Sequence, residues 1–148
     1  MRPTRLAALA LLIVALSCRN AVGPRLDFEE AYVRWRAQHL DTYAFTLQRS
    51  CFCLSVDPLY VLVLNDKVAS VTDLQTGTEV DVRAGETVED LFGFIKSAID
   101  HHAARIDVEY DPSKGFPTSI KYDGSAQIVD DEIFYRVFDL HAADASTQ

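Results

Sequence analysis

Positive charge is scarce in this chain: Lys and Arg number 14 against 22 Asp and Glu, a formal net charge of −8 at pH 7. A nucleic-acid binder needs a basic surface to displace counterions, so that class is excluded. Methionine occurs only at Met1. Once a leader is removed none remains, which excludes a methionine-liganded copper or haem site. The longest uninterrupted apolar run is Leu6 to Leu16, eleven residues, whereas a transmembrane helix needs about 20. Internal repeats, low-complexity stretches, Gly-x-Ser-x-Gly, phosphate loops and zinc-helix motifs are all missing. What is abundant is apolar: 49 % hydrophobic and 10 % aromatic residues place the chain among folded domains rather than disordered ones.

The front of the chain reads as an address. Arg2 and Arg5 precede the apolar run, and the small Ser17 and Cys18 close it, as in a secretory signal. Val14-Ala15-Leu16-Ser17-Cys18 resembles a bacterial lipobox, in which the cut falls before a cysteine that then carries a lipid. The expected organisation is a signal peptide over 1–17, lipidation of Cys18, a tether over 18–26, one domain over 27–141 and a loose tail over 142–148. Two competing readings are a conventional signal cut near Ala21 or Gly23 and a retained hydrophobic anchor. The lipobox reading places the domain in the cell envelope, facing the extracytoplasmic side of a bacterial membrane. Arg19, Arg25, Arg34 and Arg36 are then at hand for lipid headgroups, and the acidic remainder of the chain faces outward.

Within the domain, Asp27 and Glu30 have capping-box spacing, and Phe28, Ala31, Tyr32 and Trp35 recur at helical intervals. A first helix over Asp27 to Asp41 is predicted. From Tyr43 to Cys51 the period becomes two, and further strands are read at 59–64 and 68–71, with a short extension around 80–82. Thr87 can cap a second helix whose apolar stripe is Val88, Leu91, Phe92, Ile95 and Ile99, ending near His101. Strands at 106–110, 118–122 and 133–140 follow. Short turns and only two helices predict an α+β fold, a mainly antiparallel sheet of five or six strands with two helices on one face.

Trp35, Tyr43-x-Phe45-x-Leu47, Cys51-Phe52-Cys53, Val88-Glu89-Asp90-Leu91-Phe92, Tyr110-Asp111-Pro112-x-x-Gly115-Phe116-Pro117 and Asp130-Asp131-Glu132 together carry a resemblance. They resemble a bacterial lipoprotein family known only as domain of unknown function 6174, over roughly residues 28–140. The resemblance implies an exported, often lipid-anchored envelope protein and brings no activity with it.

Cys51-Phe52-Cys53 is the strongest local signal. Two extended steps separate the Cα atoms by about 6.6 Å, the upper edge of disulfide geometry. An oxidising envelope favours pairing Cys51 with Cys53 as a structural bridge. The other readings are a strained redox handle and a pair of thiolates on a soft metal, for which two ligands are too few. His101 and His102, about 100° apart on a helix, suit its C-terminus better than one ion. Asp107, Glu109 and Asp111 on one strand face and the acids at 130–132 read as solvated surface, with a hard cation as the competing use. Tyr110, Asp111 and Phe116 flank a rigid turn, read either as a hairpin or as a presented contact surface. The function expected is a non-enzymatic binding or interaction module with no cofactor, a membrane held through Cys18 and an envelope protein as partners. A thiol-redox or other small-substrate enzyme using Cys51 and Cys53 is the alternative.

Overall fold

The computed structural model describes residues 23–51, 58–128 and 130–143. Helix α1 spans Pro24–Arg36, three residues earlier than the Asp27 start that the sequence suggested. Gly23 is its N-cap and no side chain caps it, so the Asp27/Glu30 capping box does not form. Pro24 explains the shift: at the first helical position its missing N–H costs nothing, and its φ is already helical. The helix stops at Arg36, well short of Asp41, and His39 follows with φ 51°.

The strands are β1 (Tyr43–Cys51), β2 (Leu59–Leu64), β3 (Lys67–Asp73), β4 (Glu79–Val80), β5 (Arg105–Tyr110), β6 (Pro117–Asp123) and β7 (Ile133–Ala142). Helix α2, Val88–Asp100, connects β4 to β5 after a short 3₁₀ turn at Val82–Ala84. All strand pairs are antiparallel, in the order β4-β3-β2-β1-β7-β6-β5. Among the described residues the sheet has seven strands rather than five or six. The addition is β4, two residues that overlap the short extension expected around 80–82. β1 and β7 form the centre, and α2 carries the chain from one sheet edge to the other.

Register fixes the two faces, because directly opposed residues share one. Tyr43–Val63, Phe45–Val61, Leu47–Val137, Tyr135–Ile120 and Ile120–Val108 are opposed pairs on the helix-covered face. Leu91 and Ile95 of α2, both 0 % exposed, belong to this core; burying each contributes about 1.5–3 kcal/mol. Thr87 caps α2 as expected. Its hydroxyl accepts from Asp90 N–H (3.0 Å), and the Asp90 carboxylate accepts from Thr87 N–H (2.8 Å), closing a capping box. A further α2 donor, Val88 N–H, is satisfied by Tyr43 Oη at 3.0 Å.

Among the described residues no helix lies over the other face. Ala44 and Thr46 are buried there all the same, beneath the larger side chains of the flanking strands. Thr46 is opposed by Tyr60 and Phe138, and Ala44 by Leu62 and His141. Asp139, with φ 57°, lies where the β1–β7 register shifts, a bulge that keeps both Phe138 and His141 on this face.

Candidate functional site

The sequence-marked residues go to different places. Cys51 ends β1, opposite Ile133 of β7; Cys18 and Cys53 lie outside the described residues. Two cavities of about 400 Å³ each flank the Cys51–Ile133 pair. One is bordered by Lys121, Tyr122 and Phe134, the other by Arg49, Asp131 and Glu132.

Beside them sits a polar group that sequence reasoning missed. Arg49 and Tyr135 are cross-strand partners on the helix-covered face, and Tyr135 Oη donates to Glu86 Oε1 at 3.2 Å. Burial pushes the Glu86 carboxyl above its ordinary value, against the pull of the Tyr135 bond and the Arg49 charge. Burial and then the Glu86 charge raise the Tyr135 phenol. Nothing local marks Glu86, which merely precedes a helix cap, and only the fold brings it to β1 and β7.

A second missed hub joins the helices. Glu89 accepts from Tyr32 Oη (3.1 Å), Trp35 Nε1 (3.2 Å) and Arg36 Nη1 (3.1 Å), so one α2 carboxylate collects three α1 donors. Arg25 is likewise engaged, by Asp100, which also pairs with Lys96. Two of the arginines expected at lipid headgroups, Arg25 and Arg36, thus pair within the domain.

The β5–β6 turn is built for packing. Asp111 Oδ1 accepts from Ser113 N–H (2.9 Å) and Lys114 N–H (2.6 Å). Burial raises the Asp111 carboxyl, but these bonds and the Lys114 charge leave it below its ordinary value. Gly115 has φ +87°, and a Cβ there would lie 2.3 Å from the Ala31 carbonyl oxygen of α1. Phe116, 6 % exposed, meets Trp35 edge-on at 6.5 Å, while Tyr110 stacks on Phe92 at 6.1 Å. The two rings therefore turn inward, and of the three residues marked for contact Asp111 serves the turn itself. His101 is the C-cap of α2, its Nδ1 bonding the Ser97 carbonyl at 2.9 Å. Among the described residues no three His, Cys, Asp or Glu side chains are grouped to hold a metal ion.

A cavity of about 570 Å³ opens over β6 and β7 on the sheet face away from the helices. Ser119, Lys121, Phe134, Arg136 and Phe138 line it, with Glu109 and Asp139 also on its walls. Strand alternation predicts that such residues face outward; their convergence follows from register, which the sequence does not print.

These features define an α+β domain in which two helices cover one side of a seven-stranded antiparallel sheet. The chain belongs to a family of unknown function, DUF6174, whose model matches residues 27–142. No curated protein and no solved structure matches it.

Proposed function

We propose that this chain is an exported bacterial envelope lipoprotein, held to a membrane through a lipid on Cys18, whose domain is a non-enzymatic binding module. The observation that carries the reading is the charged, apolar, small-residue sequence from Arg2 to Cys18, a secretory pattern ending at a lipidation cysteine. Helix α1 starts at Pro24, six residues on, and an extended chain gains at most about 3.6 Å per residue. The domain accordingly stands within about 22 Å of its anchor. In this setting a Cys51–Cys53 bridge is structural, because an oxidising compartment favours it, and so small a ring constrains little of the unfolded chain, so its stabilising effect is small. The sheet face away from the helices supports a binding role, since among the described residues aromatic and charged side chains there, Phe138 and Arg136 among them, are exposed.

Metabolic labelling with a fatty acid tests the anchor. Wild-type chain incorporates label and partitions with membranes, and Cys18→Ser does neither. Equal labelling of the two, or a mature N-terminus at Ala21 or beyond, would overturn it. Crosslinking of the intact chain in its own envelope tests the binding role, which requires a specific adduct.

A further inference from the structure

We propose that the cavity over β6 and β7 is a binding site for a small amphiphilic anion, a carboxylate or related acid on an apolar body. This deepens the binding-module reading and rests on it. On β7, Phe134, Arg136 and Phe138 alternate onto the helix-free face, and Phe138 remains 39 % exposed. On β6, Lys121 lies directly opposite Phe134, and Ser119 directly opposite Arg136. Two cations, two rings and a hydroxyl thus share one cavity wall.

The cations are available. Among the described residues neither Lys121 nor Arg136 forms an ion pair, whereas Arg25, Arg36, Arg83, Lys96 and Arg105 all do. The acids nearby, Asp139 on the same wall included, form no ion pair with either cation among the described residues. Asp107, cross-strand from Lys121, is held by Arg105. Glu109 is separated from Arg136 by the Ser119 strand, and two strand spacings amount to about 9.6 Å. Asp111 spends its Oδ1 on its own turn. A volume of about 570 Å³ falls in the range of small-ligand sites. Arginine and lysine give an acid charge-assisted hydrogen bonds, and the phenyl rings give its body apolar contact. The acidic chain as a whole repels large polyanions, which favours a small anion carrying a single charge.

The test is equilibrium dialysis of 4-phenylbutyrate against the full chain in lipid vesicles, with protein-free vesicles as blank and 4-phenylbutan-1-ol as the neutral analogue. The acid is expected to bind saturably and the alcohol about tenfold more weakly. Lys121→Gln and Arg136→Gln should each weaken the acid about tenfold and leave the alcohol unchanged, while Phe138→Ala weakens both. Thermal unfolding of each variant verifies that it folds. Equal affinity for acid and alcohol, indifference to both cation substitutions, or no saturable binding by the folded wild type up to about 10 mM would each overturn the site. A specific envelope adduct obtained alongside any of those results leaves the module reading standing without this site.

Discussion

Trp35 of α1 donates its indole N–H to Glu89 of α2 at 3.2 Å, and the same carboxylate takes Tyr32 and Arg36. Trp35 is buried, so losing its acceptor strands a donor inside the protein, which costs about 1–3 kcal/mol. Glu89→Ala should lower the unfolding free energy by that amount in a urea titration. Glu89→Gln, whose amide oxygen still accepts, should lose less. Equal losses would mean that the carboxylate charge, rather than its acceptor geometry, holds the helices together.

Two glycines should respond to alanine with opposite signs. Gly115 combines φ +87° with a Cβ position 2.3 Å from backbone oxygen on α1, so Gly115→Ala should cost about 2 kcal/mol or more. Gly93 lies inside α2 with nothing within 4 Å of its Cβ position. Gly93→Ala there should add about 1 kcal/mol from helix propensity. Thermal melts of the two variants, displaced to either side of wild type, are the expected readout.

The same contrast shows what the sequence could and could not disclose. Helix α2 was readable because its signals are local: Thr87 and Asp90 are three residues apart, and the stripe from Val88 to Ile99 has one period. The start of α1 is not legible in the sequence, because Gly23-Pro24 serves equally as a break and as a helix opening. Phe116 was ambiguous because turn chemistry explains its neighbours but not which way its ring points; α1 decides that. The cavity over β6 and β7 was invisible for a different reason. Lys121 and Phe134 meet through antiparallel register, and the Asp139 bulge resets the far end of β7 by one residue. Neither fact is written in any short window of residues.

Glu86 sets a pH dependence of definite sign. Its carboxyl is raised by burial above 4.5, so the folded state binds the proton more tightly than the unfolded chain does. Stability attributable to this group is full below the ordinary glutamate range and falls as pH rises through the folded value. Glu86→Gln keeps an acceptor for the Tyr135 hydroxyl and removes the titration. The variant should match wild type in acid and be more stable at neutral pH. Urea unfolding across that interval checks it, and parallel pH curves for the two proteins would contradict the assignment.

Asp100 titrates in the opposite sense. Lys96 and Arg25, both bonded to its carboxylate, hold it at about 2. A lowered folded value favours the ionised native state above the ordinary aspartate range, and that preference disappears as pH falls toward the folded value. The pairs are exposed to solvent, so salt screens them and their effect on stability is small. The carboxyl resonance of Asp100, followed by NMR through an acid titration, is the direct readout. Lys96→Met should move its midpoint upward, and Arg25→Met should do so by less, since the Lys96 bond is the larger influence. Because Arg25 lies one residue beyond the helix-opening Pro24, the Arg25 effect also reports whether the first turn of α1 stays docked on α2. A midpoint indifferent to Arg25→Met would place that turn away from Asp100 in solution.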